Sequence, residues 1–324
     1  MTRTAFITGA SGFIGSYLLE ALLKNNWKVR ALSHKSPIPE STNCEIIHGD
    51  IGDYQLLKEA MTDVNICFHL ASSLGASLIK KDEFFRVNKV GTETVLQAAC
   101  NAGVKRIVHF SSAGVLGKVQ KDEIADEEYP LNPKDIYDKT KLEGERIAIQ
   151  HSREGMDVVI IRPGWVYGPG DKRTFKLINA IAKGRFILVT RGHTLQTPVY
   201  IEDLLHGTFL CTEKARSGEI YHLAGDEVLT VREIVETIAS ALEKTIPRFS
   251  IPLFPVKLAA WPMEKTFRLL KKESPLTMGK LAFFTNPKPL SIQKAKKDLF
   301  YSPKTDFKKG MAQTILWYKE HKWL

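Results

Sequence analysis

Residues 137–141 read "YDKTK". Tyr137 and Lys141 stand four apart, so on a helix they share one face. A phenol beside an ammonium can work as a proton-transfer pair. Tyrosine, with an unperturbed pKa of about 10, is a poor base at neutral pH, and a neighbouring cation favours its ionised form. The same spacing suits an exposed turn of a polar helix, and the charged "LEGER" that follows fits either reading. A second stretch, "ITGASGFIG", sets Gly9, Gly12 and Gly15 in a G-x-x-G-x-x-G pattern. Such glycines let a backbone turn tightly against a pyrophosphate, whose charge is favoured by the N-terminus of a following helix.

Both stretches need a scaffold, and the first half of the chain supplies one. "TAFIT" (4–8), "KVRAL" (28–32), "CEIIH" (44–48), "NICFHL" (65–70), "RIVHFSS" (106–112) and "DVVIIRP" (157–163) read as strands buried on both faces. Helix-like segments at 13–25, 53–61, 84–102 and 135–154 lie between them. Repeated strand–helix units imply an α/β, doubly wound parallel sheet, with ligands beyond the carboxyl ends of its strands. The glycine loop then follows the first strand and opens the first helix, the context in which it reads as a nucleotide site.

After residue 170 the alternation loosens. Thr230 and Glu233 have the capping-box spacing at the start of a helix over 227–244. Six prolines between 252 and 289 interrupt apolar clusters and argue against one long helix there. The expected division is a dinucleotide-binding region over 1–170, to which later segments return, and a mainly substrate-binding or lid region over 171–324. "SIQKAKKDLFYSPK" and "FKKGMAQTILWYKEHKWL" read as two closing amphipathic helices.

With 324 residues, 44% of them apolar, the chain can bury a sizeable core, which excludes disorder. The net charge of +10 is spread over separate segments, so a basic surface is expected rather than a nucleic-acid site. Four isolated cysteines and nine scattered histidines suggest neither a disulfide framework nor a metal site. There is no apolar run long enough for a transmembrane segment and no signal-peptide pattern, so a cytoplasmic location is expected.

The second strand runs into "RALSHKS" without the carboxylate that commonly holds the adenosine ribose. Ser33, His34 and Lys35 suit a 2′-phosphate instead, which favours NADP over NAD.

Together these features resemble the extended short-chain dehydrogenase/reductase family, the epimerase/dehydratase group, along nearly the whole chain. "TGASGFIG", "HGDIGD", "FHLAS", "VNKVGTETVLQAA", "HFSSAGVLG", "YDKTK", "RPGWVYGPGD" and "YIEDL" follow the family's order and spacing. The resemblance implies a Rossmann-type fold with a smaller C-terminal substrate-binding region. It places Ser112, Tyr137 and Lys141 at the catalytic positions, with Ser111 as the neighbouring candidate. Tyr137 would be the acid/base, Lys141 its activator and ribose ligand, and Ser112 the partner of the substrate oxygen. Gly9, Ser11, Gly12, Phe13, Ile14, Gly15, Asp50, Ile51, Leu70, Ala71, Ser72 and Pro163 would line the cofactor. The family also implies a homodimer through helices 84–102 and 135–154.

Sugar-nucleotide members of the family place an asparagine where this chain has Trp165 and an arginine where it has Gln196. Losing two diphosphate contacts and gaining a ring argues for a less charged substrate. With the proline-rich stretch 251–290, this looks most like the 3β-hydroxysteroid dehydrogenase and dihydroflavonol reductase branch. The expected function is hydride transfer between nicotinamide and a secondary alcohol or ketone on a largely apolar small molecule. The alternatives are a nucleotide-sugar 4-epimerase or dehydratase using the same triad, and a non-catalytic dinucleotide sensor. "WPMEKTFRLLKK" in the lid would allow peripheral contact with an anionic membrane.

Overall fold

The computed structural model describes residues 3–74, 79–247, 249–270, 274 and 278–324, with the backbone alone for Trp261, Arg268 and 278–280. Strands β1 (Thr4–Thr8), β2 (Lys28–Ser33), β3 (Cys44–His48), β4 (Ile66–His69), β5 (Arg106–Phe110) and β6 (Val158–Pro163) belong to one sheet with Ile220–Leu223. All pairings are parallel, in the spatial order β3-β2-β1-β4-β5-β6 and then Ile220–Leu223 at the far edge. Alternate residues feed two cores. Ala5, Ile7, Val108, Phe110, Val159 and Ile161 face one. Phe6, Ile107, Val158 and Ile160 face the other. Burial on both faces is why these strands read as continuous apolar runs.

Helices α1 (Phe13–Lys24), α2 (Tyr54–Ala60), α3 (Lys81–Phe85), α4 (Gly91–Asn101), α5 (Ile136–Arg153), α6 (Lys172–Ala182) and α7 (Ile201–Lys214) follow in the chain. Residues Arg86–Val90 join α3 to α4 in π-helical form, so the single helix expected over 84–102 is locally underwound. Helix α8 (Val231–Ala241) carries the capping box of Thr230 and Glu233.

Among the described residues the proline-rich stretch holds two separate helices, as its prolines imply, though the first runs through one of them. Helix α9 (Leu253–Leu269) runs for 17 residues with Pro262 inside it. Pro255 falls in the first turn, where a missing N–H costs nothing, whereas Pro262 forgoes one helical bond. Helices α10 (Met278–Thr285), α11 (Gln293–Leu299) and α12 (Phe307–Glu320) complete the chain. Residues 271–273 and Pro275, part of the expected lid and membrane-touching segment, lie outside the described residues. No helix among the described residues is long and apolar enough to cross a membrane.

The strand order reverses between β1 and β4, so a crevice opens beyond their carboxyl ends. The glycine loop leaves β1 there and Leu70–Ser72 leave β4. Ser111–Ser112 follow β5, and Pro163 ends β6.

Candidate active site

At the crevice, Gly9 has φ +77, and a Cβ on it would stand 2.7 Å from the Ala71 nitrogen. A Cβ on Gly15 would stand 2.1 Å from the Gly9 carbonyl oxygen, so helix and loop touch backbone to backbone. Gly12 caps α1 with no side-chain bond to its first N–H groups, which leaves them for a ligand. Ser11 and Gly12 are exposed, and Phe13 and Ile14 are half-buried beside them. This bare, close-packed cradle fits the pyrophosphate of a dinucleotide.

Where adenosine is expected, Asp50 accepts from the Gly52 N–H at 2.8 Å and from Arg86 Nη1 at 2.7 Å. His34 Nε2 lies 3.3 Å from the other Asp50 oxygen. Burial works against ionisation of Asp50, but these partners outweigh it and hold its carboxyl below the usual range. Arg86 also grips Glu83 through two nitrogens, each at 2.8 Å. Lys35 is exposed, whereas Ser33 is buried and donates its hydroxyl to the Ser36 carbonyl at 3.0 Å. Of the expected phosphate trio, Ser33 is therefore turned inward. Ile51 is buried against Gly91.

The three expected catalytic residues converge from β5 and α5. Ser112 caps the short turn Ala113–Leu116, and its Oγ accepts from the Gly114 N–H at 2.9 Å. The two adjacent serines divide cleanly: Ser112 lines the cavity described below, whereas buried Ser111 donates to Glu145 at 2.5 Å. Burial pushes the Tyr137 phenol up; the Arg173 guanidinium and the Ser112 and Ser72 hydroxyls pull the other way. Lys141, 3% exposed, donates to the Phe110 carbonyl at 2.5 Å. Burial lowers its pKa to about 8, against the opposing charge of Glu145. Burial is the largest influence on the phenol and acts against the ionised form that an ammonium would favour. Arg173, at the start of α6, is its largest opposing influence.

Asn88, in the π-helical stretch, links the cofactor strands to α5. Its Oδ1 accepts from Ser72 Oγ at 3.0 Å and the Ser73 N–H at 2.7 Å, and its Nδ2 donates to Thr140 Oγ1 at 3.0 Å. Below Ser111, Arg162 and Glu145 pair at 2.6 Å and 3.0 Å, only 2% and 0% exposed.

A cavity of about 190 Å³ opens beside Ser112. Ala113, Pro163, Trp165, Ala282, Phe283 and Leu290 give it apolar walls; Asp135, Asp138, Asn286 and Lys288 give it a polar end. Trp165 packs edge-on to Phe283 with centroids 5.1 Å apart. Gln196 also lines the cavity, but its Nε2 donates to the Phe283 and Asn286 carbonyls, each at 3.1 Å. Its amide is spent on the wall.

Sequence reasoning passed over Arg86, Arg173, Asn88, Asp138 and Lys288. For Asp138 the signal lay inside "YDKTK" itself. For the others only the fold reveals what they meet.

Comparison with known proteins identifies the family. The model of the NAD dependent epimerase/dehydratase family matches residues 5–224. The 4-hydroxy-2-methyl-3-oxo-4-farnesyl-3,4-dihydroquinoline-1-oxide ketoreductase of Stigmatella aurantiaca is 28% identical over 314 residues, 94% of each chain. A 3 beta-hydroxysteroid dehydrogenase/Delta 5-->4-isomerase of Mycobacterium tuberculosis is 29% identical over 336 residues, 96% of this chain and 89% of that protein. The solved dTDP-glucose 4,6-dehydratase of Streptomyces venezuelae, with NAD bound, has a TM-score of 0.80 at 26% identity, covering 99% and 98% of the two chains. With a match that runs from the first strand of the sheet to its last, the chain belongs to the NAD dependent epimerase/dehydratase family and is an NAD-dependent enzyme of the extended short-chain dehydrogenase/reductase type.

Proposed function

We propose that this enzyme moves a hydride between nicotinamide and the carbinol or carbonyl carbon of a small, largely apolar molecule. The observation that carries this reading is the cavity beside Ser112. Its walls are Trp165, Phe283, Leu290 and Pro163, and among its described lining residues Lys288 is the one cation. A sugar diphosphate would need fixed donors and more positive charge. The ketoreductase and hydroxysteroid dehydrogenase among its relatives point the same way.

In this reading NAD(P), when bound, supplies or receives the hydride. Ser112 Oγ donates to the substrate oxygen as charge develops on it. Tyr137 gives or takes the oxygen's proton, and Lys141 holds the ribose and keeps positive charge near. A phenol is protonated at neutral pH and burial pushes its pKa further up, so Tyr137 is in the form that gives a proton to a ketone oxygen. Alcohol oxidation needs the phenolate and should speed up as the medium becomes alkaline. His34 and Lys35, exposed at the end of β2, favour NADP(H) over NAD(H).

The test is a screen of cyclic ketones and sugar nucleotides with NADPH and NADH, following loss of reduced cofactor. Apolar ketones should be reduced. Tyr137→Phe should lower kcat by about 100- to 10,000-fold while cofactor binding persists. Retention of tightly bound NAD with turnover of a sugar nucleotide would overturn the proposal in favour of an epimerase or dehydratase, the activity of the solved relative.

A further inference from the structure

Asp138 lines the same cavity as Ser112 but lies one residue beyond Tyr137, about 100° further round α5. Its carboxylate occupies the space over Gly114: a Cβ there would stand 1.7 Å from Asp138 Oδ1. The turn that carries Ser112 therefore has a glycine where this carboxylate comes in. Two charged groups face it. Asp135, the α5 cap, accepts from the Asp138 N–H at 2.8 Å and shares a side-chain hydrogen bond with it. Lys288 reaches in from the segment after α10 and donates to the Gly117 carbonyl at 2.7 Å.

An acid in the first turn of a helix ordinarily serves the helix dipole from an exposed position and stays ionised. Asp138 departs from that role, because burial raises its pKa to about 7. A carboxyl whose proton is held up to about pH 7, with the Asp135 carboxylate and the Lys288 ammonium beside it, leaves this end of the cavity with little net charge. A cationic substrate group would meet Lys288, and an anionic one would meet the remaining carboxylate charge. A neutral group that both donates and accepts hydrogen bonds meets neither penalty.

We propose that Asp138 is a specificity-determining residue that hydrogen-bonds a second hydroxyl on the substrate, next to the reacting carbinol or ketone. This inference rests on the proposed function and narrows its substrate class to diols and hydroxyketones with an apolar body. A buried polar group left without its substrate partner rejects an analogue more strongly than an apolar wall does.

The experiment compares kcat/KM for tetralol and for the tetralin diol bearing a neighbouring hydroxyl, in wild type, Asp138→Ala and Asp138→Asn. Wild type should prefer the diol by at least about tenfold. Asp138→Ala should bring the ratio close to unity, and Asp138→Asn, which keeps an acceptor oxygen, should restore part of it. A thermal melt of each variant reports folding, and Asp138→Asn keeps the comparison open should the alanine variant fail to fold. Equal use of both alcohols by wild type, or an unchanged ratio in the variants, overturns this inference alone. Turnover of neither alcohol, with cofactor still bound, overturns the proposed function together with it.

Discussion

Asp138 keeps its proton to about pH 7 because burial penalises the carboxylate, with Lys288 opposing that effect and Asp135 adding to it. The folded state therefore prefers the protonated form. That contribution to stability is complete below the unfolded pKa of about 4 and is lost as pH rises through about 7. Asp138→Asn, neutral throughout, should gain in Tm relative to wild type between about pH 5 and about pH 8. A difference that stays flat across that range would refute the burial argument. The chain pointed to part of this site: the Tyr137–Lys141 spacing alone left two readings open, and the family resemblance singled out that pair and Ser112. The inward turn of Ser33 and the Gln196 bond to Phe283 were not legible, because each depends on a neighbour fixed only by folding.

Elements hold these residues by two kinds of contact, each with its own signature. The first is backbone against backbone. Gly15→Ala would force a methyl onto the Gly9 carbonyl, so NADPH and NADH should bind at least about tenfold more weakly by fluorescence titration, even where the protein still folds. Unchanged affinity would mean the loop has room to relax. The second is a buried ion pair. Arg162→Met leaves Glu145 charged and unpaired between α5 and β6, at an expected cost of about 3–5 kcal/mol in denaturant unfolding. The double variant with Glu145→Met should recover part of it, since no carboxylate is left without its guanidinium, while Lys141 loses the opposing charge of Glu145. The strands were easy to read because burial on both faces writes them as apolar runs. The π-helical stretch at Arg86–Val90 and the 17-residue α9 across Pro262 escaped that reading, since periodicity carries no mark of one extra residue per turn or of a tolerated proline.

Across the whole molecule, a net charge of +10 favours anionic ligands in general, so cofactor choice must come from local groups. If His34 and Lys35 meet a 2′-phosphate, NADPH should raise the melting temperature more than NADH at equal concentration. Lys35→Glu should reverse that order, and equal shifts would leave the basic pair without a role in selection. The fold class was plain from the strand–helix alternation, whereas the hydrogen bonds that hold 283–289, within the expected lid, were not. Thr194 Oγ1 donates to the Phe284 carbonyl, Gln196 to Phe283 and Asn286, and the Lys288 N–H to Leu195. On the other side the Val119 N–H donates to Pro287 and the Ala125 N–H to Pro289. The stretch 283–289, sewn along both edges, has little disorder to surrender when substrate arrives. Selectivity would then come from a mould cast before the encounter, and the entropy usually spent on closing a flap is saved for holding the substrate against Ser112.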